Sequence, residues 1–188
     1  MSETDLRIEG AASRMSAVRA VAELMQALRV DLAFVGEVAL AAWMGEGLGE
    51  SGAVDFLALV PTDRSGQIPK MAAHRGFRID EGEAREAEEL DLLPMRWTGE
   101  GAEVRVHVLF ATNALYGRMV RDSVDARAGE GRVRVVGAED LALLVMVGDA
   151  PGAGELVSRL RARAGSRFDR DRLNRKLVSI GLPGKVLA

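Results

Sequence analysis

Apolar residues recur along this chain at two different spacings, and each change of spacing marks a new element. In "SRMSAVRAVAELMQALRV", Val18, Val21, Ala22, Met25 and Leu28 fall on one helical face, which predicts an amphipathic helix. "LAFVG" follows as a short apolar strand ending in Gly36. "EVALAAWMG" then reads as an Ala-rich helix closed by Gly45. "AVDFLALV" is apolar on both faces, which predicts a strand central in its sheet, with Pro61 ending it. A helix in "SGQIPKMAAHRGF" leads to Gly76, and "FRID" starts another strand. "LDLLPMRWT" and "EVRVHVLFA" read as two strands, with a glycine-containing turn near residue 100 between them. "NALYGRMVRDSVDA" reads as a helix capped by Asn113, "GRVRVVG" as a strand and "AEDLALLVMVG" as an apolar helix. After "APGAG", two short amphipathic helices lie in "ELVSRLRARAG" and "DRDRLNRKLVSIGL".

Strands and helices mix without a strict βαβ repeat, so the expected class is α+β, with a mixed sheet flanked by helices. The expected organisation is a flexible N-terminal tail over 1–11, an α/β body over 12–150 and a helical extension over 151–188 packed on that body.

Composition narrows the choices. Of 188 residues, 48% are hydrophobic, enough for a globular core, but only 4% are aromatic, so Ala, Val, Leu and Met must fill it. The net charge of −3 gives no basic excess, so nucleic acid is not expected as the main partner. The absence of cysteine excludes disulfides, thiolate metal sites and a cysteine nucleophile, and it suits a reducing cytoplasm. The start, "MSETDLRIEGAASR", is too polar for a secretory signal, and runs such as "LALLVMVG" are too short to span a bilayer. Heavy use of Ala, Gly, Val and Arg suggests a GC-rich bacterial genome.

Several other motifs carry little chemistry. "GEGLGESG" lacks the Lys-Ser/Thr of a phosphate-binding loop and precedes a strand rather than a helix. Two histidines and no G-x-S-x-G leave little room for a hydrolase triad, and no H-E-x-x-H points to zinc. His74 lies near a helix end, where a cap-like role is expected. Trp43 and Trp97 are expected in the core. From Asp80 to Asp91 there are seven acidic residues and one basic, Arg85, which predicts a solvated loop or short helix. From Arg159 to Lys176 there are eight basic residues and two aspartates, expected as the polar face of surface helices or as a contact for RNA or an acidic partner.

The order of these motifs resembles the nucleotidyltransferase fold, and within it the AbiE-type and related minimal bacterial nucleotidyltransferases. Where that group reads G-G-x-A-L-x-x-x-G, this chain has "GEVALAAWMG". Where it reads R-x-T-x-D-x-D, the chain has "SGAVDFL". It shares "GF" at Gly76-Phe77, a strand "VRVHVLF" in place of the one bearing the third aspartate, and a G-x-E-D-L helix start at Gly137, Glu139, Asp140 and Leu141. The resemblance covers roughly residues 15 to 182. It implies two Mg²⁺ ions held by three carboxylates, two of them side by side at i and i+2 on one strand. It also implies a glycine turn whose N–H groups meet phosphate.

Against that pattern the chemistry is incomplete. Asp55 matches the first aspartate, but the second falls on Leu57 and the third on His107. The arginine and threonine fall on Ser51 and Ala53, and the phosphate turn reads Gly36-Glu37. Leu57 cannot ligate a metal, and Glu37 brings negative charge to where a triphosphate would sit. The expectation is a degenerate site with no catalytic residue, no metal and no cofactor. Mg²⁺ enters only if the chain is a divergent enzyme. A different outcome has Glu37, Asp55 and His107 converging on a transition metal. In a plainer one, Asp55 is held by a hydrogen bond or by Arg105, and Glu37 simply favours its helix start. Three functions follow: an inactive domain binding a protein partner or itself, a divergent Mg²⁺-dependent nucleotidyltransferase, or a nucleotide or small-ligand sensor. For the first, the apolar seams "LALLVMV" and "ALAAWM" and the acidic and basic stretches are the expected contact surfaces.

Overall fold

The computed structural model describes residues 6–61, 66–79, 81–87, 91–148 and 151–182. In chain order the elements are β1 (Arg7–Ile8), α1 (Ala12–Leu28), β2 (Asp31–Phe34), α2 (Gly36–Met44), β3 (Val54–Leu59), α3 (Gln67–Ala73), β4 (Phe77–Arg78) and α4 (Glu81–Ala87). They continue with β5 (Leu92–Gly99), β6 (Ala102–Phe110), α5 (Ala114–Arg121), β7 (Val124–Ala128), β8 (Gly131–Val135), α6 (Ala138–Val147), α7 (Ala153–Ala164) and α8 (Arg170–Ser179). The strands form one eight-stranded mixed sheet in the order β1-β7-β8-β2-β3-β6-β5-β4. The apolar strand β3 is interior, antiparallel to β2 and parallel to β6. Val54, Phe56, Leu57 and Ala58 on it are all 1% exposed or less, which accounts for its lack of alternation.

α1 buries Val18, Val21, Leu24 and Met25 completely, as the helical spacing requires. α2 ends at Gly45 in the left-handed region, φ 69°, where glycine carries no Cβ penalty. Glu100 and Gly101, both at positive φ, turn β5 into β6. Asn113 caps α5 by accepting from the Tyr116 N–H at 2.9 Å. His74 is the C-cap residue of α3.

Three features differ from the sequence reading. Residues 7–8, placed there in a flexible tail, form β1 and pair in parallel with β7. Leu6 and Ile8 are buried, but two apolar residues are too few to show a period. The helix read over 113–126 stops at Arg121, and "VDARA" is the strand β7, antiparallel to β8. Its inward face carries Val124, half-buried, and two alanines, Ala126 and Ala128, and Asp and Ala are weak strand formers.

The third difference concerns the apolar seams. "ALAAWM" and "LALLVMV" are core. Ala39, Ala41, Ala42 and Trp43 are buried, as are Leu141, Ala142, Leu143 and Met146. Trp43 donates its indole N–H to the Val136 carbonyl at 2.9 Å, which satisfies its one polar atom. Leu40, Met44, Leu144 and Val145 of these seams are half-buried, and Val147 is 49% exposed.

The acidic stretch forms α4 over its described part, and residues 80 and 88–90 lie outside the described residues. Arg96 of β5 bonds Glu83 at 2.7 Å and Glu103 at 3.2 Å, and these bonds, Glu83 first, raise its guanidinium pKa. Part of the basic stretch is also paired internally: Arg159 with Glu46, Arg172 with Asp122 and Lys176 with Asp140. α7 and α8 share the core of α6 through Val157, Leu160, Leu173 and Leu177, each 1% exposed or less.

Candidate functional site

The parallel pairing of β3 and β6 sets Asp55 directly opposite His107. Residues in register share a face of the sheet, so both side chains meet. Asp55 Oδ1 lies 2.8 Å from His107 Nδ1, with the two side chains 29% and 32% exposed. Leu57, two residues on and on the same face, is 1% exposed and opposite Leu109.

The start of α2 closes over this pair. Gly36 has φ 57°, and a Cβ there would lie 2.8 Å from Asp55 Oδ2. The Asp55 carboxylate therefore lies against the first turn of α2, where a negative charge suits the helix dipole. No side chain caps this helix at Val35. One carboxylate oxygen thus faces His107 and the other faces the glycine turn.

Glu37 points elsewhere. Its carboxylate lies 2.7 Å from Arg14 Nη1 and is 58% exposed, whereas Arg14 is 1% exposed. Arg14 also donates to the Ser51 carbonyl at 2.8 Å and the Ala53 carbonyl at 2.6 Å, leaving its buried Nε without a partner. A single guanidinium thus ties α1, α2 and the loop before β3 together. The fork geometry of arginine makes this possible, since one planar group presents several donors. Gly52 completes the fit: at φ 112°, a Cβ would stand 2.4 Å from Glu37 Oε2. Ser51 and Ala53, which occupy the motif's Arg and Thr positions, contribute backbone carbonyls here.

The structure brings Asp55 and His107 together and takes Glu37 to Arg14. Arg14 was not singled out in the sequence. Its signal was its place four residues before Val18 and seven before Val21, on the buried face of α1.

The donor set does not suit Mg²⁺. That ion is hard and takes oxygen ligands in near-octahedral geometry. Among the described residues the cleft presents one carboxylate with Oδ1 held by His107 and Oδ2 against the glycine turn, an imidazole and a buried leucine. Among the described residues no group of three His, Cys, Asp or Glu side chains could hold a metal ion.

No protein-family model matches the chain, and no curated protein sequence matches it. Solved structures do. An antigenic nucleotidyltransferase-like protein from Paracoccidioides brasiliensis is similar over 94% of this chain and 90% of its own, at 12% identity and TM-score 0.59. The lincosamide antibiotic adenylyltransferase LnuA, with lincomycin bound, is similar over 82% of this chain and 99% of its own, at 9% identity and TM-score 0.55. ANT(2")-Ia, in complex with adenylyl-2"-tobramycin, is similar over 89% and 97%, at 14% identity and TM-score 0.52. The mixed sheet, the Asp55-bearing strand beside the one carrying His107, and the glycine turn into α2 are thus parts of a nucleotidyltransferase-like fold.

Proposed function

We propose that this chain is a catalytically inactive nucleotidyltransferase-like domain that works as a protein-interaction or regulatory module. The observation that carries the reading is the Asp55–His107 contact at 2.8 Å beside a buried Leu57. Two-metal transfer needs several carboxylate oxygens free to bridge ions and phosphates. Here the carboxylate of Asp55 is used to join two strands through His107. Glu37, at the phosphate turn, is likewise used to hold Arg14.

Support for a protein partner comes from the surface between α5, α6 and the end of α8. Leu115, Tyr116, Leu144, Val147, Ile180 and Leu182 line a mainly apolar depression of about 610 Å³. Val147 is 49% exposed and the others are half-buried, and a contiguous apolar depression of this kind suits a protein contact or self-association. No membrane partner is proposed; no helix among the described residues is long and apolar enough to cross a membrane.

A second reading, a divergent Mg²⁺-dependent nucleotidyltransferase or a nucleotide or small-ligand sensor using the same cleft, is favoured by the likeness to LnuA and ANT(2")-Ia. A pyrophosphate-release assay separates catalysis from the proposal. With each of the four ribonucleoside triphosphates and either Mg²⁺ or Mn²⁺, the protein is expected to release no more pyrophosphate than a heat-inactivated control. Release that disappears in Asp55→Ala would establish the enzyme instead.

A further inference from the structure

Strand pairing gives the His107 imidazole a fixed setting. Its register partner on one side is Asp55 of β3, and on the other Pro94 of β5. Asp55 Oδ1 lies 2.8 Å from Nδ1. An ionised carboxylate only accepts hydrogen bonds, so the ring proton sits on Nδ1 and the lone pair is left on Nε2. Among the described residues nothing bonds Nε2. The His107 side chain is 32% exposed, and the Pro94 side chain offers it neither charge nor polar atom. A nitrogen base oriented in this way by a third group is a nucleophile held ready.

The surroundings suit an added anion. Arg105 lies two residues before His107 on the same face of β6 and is exposed. Among the described residues no carboxylate pairs with it. Its register partner Arg96 is held by Glu83 and Glu103. The first turn of α2, which has no side-chain cap, lies against Asp55 Oδ2. A nearby guanidinium and a helix start both favour a phosphate group. The second of the chain's two histidines, His74, differs: it is exposed at the end of α3, with no carboxylate on its ring among the described residues.

We infer, resting on the regulatory reading above, that His107 is a phosphorylation site whose Nε2 takes a phosphoryl group from a donor with phosphorus bound to nitrogen or to an acyl oxygen. The Nε2 lone pair forms the new bond to phosphorus. The donor's P–N or P–O bond breaks, and its electrons leave with the amine or the carboxylate. The Nδ1 proton stays in place, so the phosphorylated ring is an imidazolium whose charge Asp55 balances through a charge-assisted hydrogen bond. Arg105 supplies the cation for the phosphoryl oxygens. The signal is a charge of about −2 added where β3, β6 and the start of α2 meet.

The test exposes the full chain at neutral pH to phosphoramidate and, separately, to acetyl phosphate, and follows both histidines by mass spectrometry, with phosphorus NMR to tell the Nε2 adduct from the Nδ1 adduct. With at least one donor, His107 is expected to react about tenfold or more faster than His74, and at Nε2, the size expected when the developing imidazolium gains one charge-assisted hydrogen bond. His74 is the more exposed of the two, so accessibility alone predicts the reverse order. In urea the two should react alike. Asp55→Asn should slow His107 about tenfold and leave His74 unchanged, with the thermal midpoint as the check on folding; the comparison within the unaltered chain needs no variant. Equal rates in the folded chain with both donors, an Nδ1 adduct, a preference that persists in urea, or a His107 rate unmoved by Asp55→Asn would each overturn the inference. Neither nucleotide nor Mg²⁺ is present, so the result is separate from that of the pyrophosphate-release assay: loss of the His107 preference leaves the absence of nucleotidyl transfer standing, and pyrophosphate release leaves the histidine rates as measured.

Discussion

Arg14→Ala destabilises the protein by about 3 kcal/mol, since the two carbonyl acceptors it serves each lose a charge-assisted hydrogen bond of roughly 1.5 to 3 kcal/mol. Those acceptors, Ser51 and Ala53, lie in the loop that delivers the chain into β3. The ion pair with Glu37 matters less. Glu37 is 58% exposed, and a pair with one exposed partner is worth at most about 1 kcal/mol. Glu37→Gln should therefore cost far less than Arg14→Ala. Arg14→Lys should fall near the alanine variant, because an ammonium group cannot serve both carbonyls and Glu37 from one plane. Urea unfolding of the three variants reads this ranking directly. Equal losses for Glu37→Gln and Arg14→Ala would show that the ion pair, and not the carbonyl contacts, holds the loop.

Asp140→Ala is the second large effect. Asp140 is 1% exposed and its Oδ1 pairs with Lys176 Nζ, itself 15% exposed, with Arg172 Nη2 4.0 Å from Oδ2. The preceding residue, Glu139, accepts the Asp169 N–H at 2.6 Å, at the first turn of α8. The Glu-Asp pair at the start of α6 is thus the clasp for α8. Removing one partner of a buried pair leaves the other charge without compensation, at about 3 to 5 kcal/mol. In a chain of this size that lowers the thermal midpoint by roughly 10 °C. Lys176→Met alone should cost a similar amount, and Asp140→Leu with Lys176→Met should recover most of the loss. Additive losses in the double variant would show that packing at the two sites, and not the charge pair, is what matters.

Much of the fold was legible because its signals are local. The helical spacing of Val18, Val21 and Met25 and the unbroken apolar run of β3 needed no knowledge of neighbours. Asn113 and Gly45 marked helix ends through capping chemistry that acts within one turn. The strands that escaped notice, β1 and β7, owe their existence to each other and to β8. Arg7, Asp125 and Arg127 on them carry no strand signal, and the pairing partner lies over a hundred residues away in one case.

The cleft was legible by residue type but not by geometry. That Leu57 cannot hold a metal follows from its chemistry alone. That Asp55 and His107 bond, while Glu37 turns to Arg14, depends on a strand register and on a buried arginine at the start of α1. The motif "EDL" was visible as a family-like signature. Its physical role, holding α8, needed the position of Lys176.

The most direct measurement is calorimetric titration of the purified chain with ATP, GTP, CTP and UTP, each alone and premixed with Mg²⁺. A cleft whose one carboxylate among the described residues is paired with His107, beside a buried Leu57, predicts no Mg²⁺-dependent heat at concentrations far above the micromolar range of ordinary enzyme substrates. Binding that appears only with Mg²⁺ and is lost in Asp55→Ala would contradict the account, because it would mean that Asp55 leaves His107 to hold a metal.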